Sequence, residues 1–231
     1  MNTKDRPLIK RAVRDAIPLL IGALPFGVLM GLTIVEAESV NNFVGWLSST
    51  LIFAGAAQIA MTSLLGSGGT VLLAITVGLV INARHMMYSA ALAPRFTTQP
   101  RWFRILAPYW LIDQVFALID TRIDDTVSDR DLRVYWLTIA LTFFTMWNVF
   151  VTIGIFLGPV IPESWPVEFG VPAMFIGIVV PALKTRPAAV AAIVGAFVGA
   201  TASTLPLGMG LLVGGLVGIV AGTAADRGAR V

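Results

Sequence analysis

Asn82, Arg84, His85, Tyr88 and Asp113 are the residues that could do chemistry, because all lie in runs otherwise apolar enough for a bilayer. A central arginine in a span costs about 2.5–3.5 kcal/mol on insertion scales, so a chain that keeps one there pairs it or uses it. The run from Thr70 to Pro94 holds the first four, including the chain's sole histidine. Arg84 comes 14 residues after Thr70, roughly 21 Å along a helix, within a hydrocarbon core roughly 30 Å thick. If the helix continues to Ala93, the guanidinium is deep in the membrane. If it stops near Tyr88, the side chain snorkels to the interface. Asp113 sits between Trp110-Leu111-Ile112 and Val115-Phe116-Ala117 and is the candidate counter-ion, in a pair that closes in one state and parts in another. His85, with an unperturbed pKa of about 6.5, is the first candidate for a proton relay.

These residues need a membrane scaffold, and composition supplies one. The 231 residues are 57% hydrophobic and 13% charged, with mean hydropathy +0.85. Soluble domains carry about 25% charged residues. The expectation is an all-α polytopic membrane protein of seven to eight segments, some broken by proline and glycine. The net charge of +3 calls for no nucleic acid, since basic residues flanking spans set orientation on the lipid bilayer. No cysteine is present, which excludes disulfides and thiolate metal sites. With one histidine and no His-Glu-x-x-His, no zinc hydrolase site is expected, and no cofactor is called for.

Residues 1–15 read as a basic cytoplasmic N-terminus, with Lys4, Arg6, Lys10, Arg11 and Arg14. Residues 16–224 read as one membrane domain and 225–231 as a short cytoplasmic tail. Span one, Ala16 to Val35, is interrupted by Pro18 and Pro25, which free backbone carbonyls for a neighbour or a cavity. Glu36 and Glu38 follow outside. Span two, Val44 to Leu65, contains Phe53-Ala54-Gly55-Ala56-Ala57-Gln58, small residues that permit close backbone approach beside a glutamine that needs a partner. Gly66 to Gly69 is a turn, and no Lys-Ser/Thr follows to make it a phosphate loop. Span three is Thr70 to Pro94. The fourth segment, Trp102 to Ile119, carries Pro108, Asp113 and Gln114.

The loop Thr121 to Asp131 is solvated. Span five, Leu132 to Val160, holds Trp147, Asn148, Gly154 and Gly158; span six, Phe169 to Leu183, holds Pro172 and Pro181. The last two spans, Pro187 to Ser203 and Leu205 to Ala224, carry Gly195 and Gly199, then Gly210, Gly214, Gly218 and Gly222 every four residues. That stripe suits helix packing, as scaffold or subunit interface. Eight crossings put every charged loop on its favoured side except Arg95, Arg101 and Arg104. Seven crossings need one of the first three segments to be re-entrant. Ile21-Gly22 ahead of Pro25 and Ile176-Gly177 ahead of Pro181 hint at an inverted repeat.

Arg84 or a broken-helix N-terminus could hold a carboxylate, Gln58 or Asn82 an ammonium, and Phe53, Met86 and Trp147 an apolar side chain. An intramembrane enzyme fits poorly. Asp113 and Asp120 lie seven residues apart, about 10 Å by rise, too far for a shared proton. A channel or a siteless assembly subunit would waste the cluster.

Phe53 to Gln58 and Asn82-Ala83-Arg84-His85-Met86-Met87-Tyr88 resemble the AzlC family, the large subunit of branched-chain amino acid exporters. Asp113-Gln114-Val115-Phe116-Ala117 is similar to that family's Asp-Glu-Val-Phe-Ala, with Gln114 in place of the titratable glutamate. Trp147, Gly154 and Gly158, then Pro172 to Ile176 with Pro181, fit its later spans. The resemblance implies proton-driven export of leucine, isoleucine and valine, with methionine as a further substrate. It also implies a small AzlD-type membrane subunit as partner and a bacterial inner-membrane location.

Overall fold

A computed structural model describes residues 5–124, 126–157, 183–205 and 209–228, with Ile176 and Val180. The described residues form α-helices and no strand: α1 Arg6–Glu36, α2 Asn42–Leu51, α3 Gly55–Gly66, α4 Val71–Asn82, α5 Arg84–Phe96, α6 Arg101–Leu106, α7 Asp113–Arg122, α8 Asp129–Leu157, α9 Arg186–Thr201 and α10 Met209–Gly228. A short 3-10 turn, Ala107–Trp110, links α6 to α7. The all-helical expectation holds. Three stretches are long and apolar enough to cross a membrane, Arg6–Glu36, Val71–Phe96 and Asp129–Leu157; a fourth counts only if α6 and α7, bent by 120°, are one span. Eight crossings therefore do not follow from the described residues. The expected span six, with Pro172 and Pro181, lies largely outside them, as does Gly158.

α1 runs unbroken through Pro18 and Pro25, contrary to the expected interruption, and it begins well before Ala16. It lies parallel to α8. Asp5 pairs with Arg130 at 2.8 Å, Asp15 accepts from the Tyr135 hydroxyl at 3.0 Å, and the Phe26 and Trp147 rings meet edge to face at 5.4 Å. Farther along, Gly31 and Gly154 let the two backbones touch. A Cβ on Gly31 would strike the Val151 carbonyl oxygen, and one on Gly154 the Val28 carbonyl oxygen.

Two of the breaks, at Phe53 and Ala83, fall where no proline stands, while the turn between α6 and α7 contains Pro108. Span two turns at Phe53, whose φ of 42° is the left-handed conformation that disfavours a bulky side chain. Its two ends lie together, since the Ser39 hydroxyl donates to the Leu65 carbonyl at 2.7 Å. α2 and α3 are thus a hairpin that enters and returns at the acidic end of the molecule, not a crossing. α6 and α7 make a second hairpin from the other end. Arg95 donates to the Ile119 carbonyl at 3.1 Å, Gln99 to Asp129 at 3.1 Å, and Arg133 to Gln99 at 2.8 Å. Arg11 reaches the Arg122 carbonyl at 2.8 Å. Arg95, Arg101 and Arg104 therefore share one end with the N-terminal cations, and the charge conflict of the eight-crossing scheme disappears.

A crossing helix followed by a half-depth hairpin thus occurs twice, in opposite directions: α1 with α2–α3, then α4–α5 with α6–α7. The two tips meet, because the Tyr109 hydroxyl donates to the Thr50 carbonyl and the Tyr109 ring lies 6.3 Å from Phe53. The repeat expected from Ile21 and Ile176 concerns other segments, one of them mostly outside the described residues. The glycine stripe packs α10 against α9 within the chain. A Cβ on Gly214 would lie 2.6 Å from the Gly195 carbonyl oxygen, and one on Gly218 2.6 Å from that of Ala191. Gly210 and Gly222 face α9 in the same way, against Ala202 and Ala191.

Candidate functional site

Three helices begin inside the molecule rather than at its ends. Where helices start near the ends, side chains cap several of them: Asn41 accepts from the Phe43 amide at 2.9 Å, Thr70 from Leu73 at 3.3 Å and Thr185 from Ala188 at 3.3 Å. The interior starts at Gly55, Arg84 and Asp113 have no side-chain cap. The first intrahelical amide donors are Gln58 to Ala54 and Phe116 to Ile112. The preceding amides of α3 and α7 face inward with the positive ends of their helix dipoles.

These starts surround a cavity of about 30 Å³ lined by Phe26, Phe53–Ala56, Arg84, His85, Asp113, Gln114 and Trp147, among others. The span Thr70 to Pro94 is one crossing with a break at Ala83. The break makes Arg84 the first residue of α5. Arg84 is neither unpaired nor snorkelling: its Nη2 lies 3.1 Å from Asp113 Oδ2, with both side chains largely buried. Tyr88, one turn on, donates to Asp113 Oδ1 at 2.6 Å and stacks on Phe116 at 4.5 Å. His85 lines the cavity, its ring 5.9 Å from that of Tyr88.

Other expected residues lie elsewhere. Gln58 is 1% exposed; its Nε2 donates to Ser48 and Ser49 at 2.7 and 2.6 Å, and its Oε1 is buried without a hydrogen-bond partner. It fastens α2 to α3 and does not line the cavity. Asn82 sits at the end of α4, its Oδ1 buried without a hydrogen-bond partner, also outside the lining. Met86 is 71% exposed and is no pocket wall, because two residues from Arg84 it faces the other way round the helix. Phe53 and Trp147 line the cavity. Phe26, Phe143, Phe150 and Gln114 line it too, with Leu20, Ala23 and Ile112. The α1 and α8 phenylalanines were indistinguishable in sequence from lipid-facing ones. At about 30 Å³ the cavity has room for a water or two.

The model of the AzlC protein family matches residues 18–161. Similar chains include an uncharacterized membrane protein of Archaeoglobus fulgidus, 26% identical over 80% of both chains. The inner membrane protein YgaZ of Escherichia coli K12 is 25% identical over 75% of this chain and 72% of its own. An uncharacterized membrane protein of Helicobacter pylori is 27% identical over 72% and 73%. No solved structure matches. With the matched stretch spanning the first crossing helix, both hairpins and the Arg84–Asp113 pair, the chain belongs to the AzlC family of membrane proteins.

Proposed function

We propose that this protein is a secondary transporter that exports branched-chain amino acids (leucine, isoleucine and valine, with methionine as a further substrate). It is driven by the proton gradient and works with a small AzlD-type membrane subunit. In this reading the basic end faces the cytoplasm of a bacterial inner membrane. The supporting observation is a buried Arg84–Asp113 pair at 3.1 Å between opposed, uncapped helix starts, beside walls of Phe26, Phe53 and Trp147. Charge of both signs next to an aromatic face suits a zwitterion with an apolar side chain. A hydrophobic solute without charges would leave the pair unused; an ion alone would leave the aromatic wall unused.

The test is efflux from bacterial cells that lack their own exporters, loaded with leucine- or isoleucine-containing dipeptides. Expression with the small partner should speed branched-chain efflux, and Arg84→Ala should abolish the gain at equal membrane abundance. No gain with correctly inserted protein, alone or with the partner, would refute the substrate class.

A further inference from the structure

The geometry points to the binding mode of the amino acid: its carboxylate sits on the α3 amides of Gly55, Ala56 and Ala57 and on the indole N–H of Trp147, while Arg84 stays with Asp113. This rests on the amino-acid reading above and assigns the two ends of that substrate.

Three observations carry it. α3 starts inside the molecule with no side-chain cap, and its first intrahelical donor is Gln58, which leaves three amides for a partner from outside the helix. Trp147 is 8% exposed and lines the cavity, and its Nε1 is buried without a hydrogen-bond partner. A buried N–H of this kind carries a desolvation cost that an acceptor would remove. The indole edge meets the helix start. A Cβ on Gly55 would lie 2.7 Å from Trp147 Cη2, 3.1 Å from Cζ2, which is two bonds from Nε1, and 2.8 Å from Phe26 Cε1. Glycine at 55 is what lets the indole and the amides share one side of the cavity.

Arg84, the obvious alternative, is committed. It holds Asp113 Oδ2 at 3.1 Å, and Tyr88 holds Oδ1 at 2.6 Å. Moving it to the substrate would leave a buried carboxylate with a phenol alone. Asp113 retains lone pairs beyond those two contacts and receives the substrate ammonium.

The test compares leucine with leucinamide, which keeps the ammonium and side chain but lacks the anion. Binding is measured by displacement of labelled leucine from the purified full chain in nanodiscs. The wild type should prefer leucine by roughly 100-fold or more, since each charge-assisted hydrogen bond to the carboxylate is worth roughly 10- to 100-fold. Trp147→Phe, which keeps the ring, should shrink that preference by roughly tenfold or more. Arg84→Gln should retain most of it. Equal wild-type affinities, an unchanged ratio in Trp147→Phe, or a ratio lost in Arg84→Gln would each overturn the assignment. If Trp147→Phe does not fold, equal wild-type affinities or a ratio lost in Arg84→Gln still overturn the assignment. Wild type that binds no leucine, alone or reconstituted with the small partner, refutes the amino-acid reading itself.

Discussion

Neutralising Asp113 should harm the protein more than neutralising Arg84, although the two form one pair. At 3.1 Å the gross attraction is about 5 kcal/mol at an effective dielectric of 20. Removing one partner of a buried pair typically costs about 3–5 kcal/mol, because the other charge is stranded. The helix starts break the symmetry. Asp113 is the first residue of α7 and Arg84 the first residue of α5. An anion is favoured at a helix N-terminus and a cation disfavoured, by up to about 2 kcal/mol in partly buried sites.

Arg84→Gln leaves a carboxylate that still has its helix dipole and the Tyr88 hydroxyl. Asp113→Asn leaves the Arg84 guanidinium buried with its anion gone, and Arg84 follows α4 through the helical backbone of Ala83 with no compensating helix end. Asp113→Asn should therefore be the less stable by roughly 1–2 kcal/mol. The double variant should lie closer to wild type than either loss summed, with a coupling of about 2–3 kcal/mol. Reversible denaturation of the four proteins in mixed micelles measures all three quantities. If Arg84→Gln proves the more costly, or the two losses add without coupling, the argument from helix starts is wrong.

Because the chain has no cysteine, single cysteines can report which side each loop faces. Cysteines at Ser39 and Ser67 should label from one side of the membrane, and those at Thr97 and Thr126 from the other. Labelling of Ser39 and Ser67 from opposite sides would restore the crossing that the first hairpin replaces. Gly214→Ala drives a Cβ to 2.6 Å from the Gly195 carbonyl oxygen and should cost about 1–3 kcal/mol; Gly215→Ala, with nothing within 4 Å, should leave the melting temperature unchanged. Gln58→Leu removes both links to Ser48 and Ser49 and should lower stability by about 1–3 kcal/mol while leaving the order of substrate preference intact. His85→Ala should flatten the pH dependence of efflux, and an unchanged profile would remove His85 from proton transfer.

The pairing of Arg84 with Asp113 was legible because two opposite charges in apolar runs have few affordable fates. The glycine stripe was legible for a similar reason: four-residue spacing puts small side chains on one helix face. The hairpins were not. An apolar run of about 20 residues has the same hydropathy whether it crosses or turns back at mid-depth, and Phe53, where the first turns, is no usual breaker. The prolines misled because α1 absorbs both within a continuous helix packed on α8. The break at Ala83 had no composition signal at all. Met86 could have been placed correctly, since Arg84 and Tyr88 share a face and a residue midway between them cannot.

The first hairpin also sets a timing problem for synthesis. Trp46 donates to Thr152 across 106 residues of chain, and Thr50 donates to Asn148 across 98. At ordinary elongation rates the ribosome needs roughly 5–20 s to cover that distance. Throughout that interval α2 exists without the helix that takes up its indole and hydroxyl. A nascent chain halted before Asn148 would leave the Trp46 indole and the Thr50 hydroxyl without these partners.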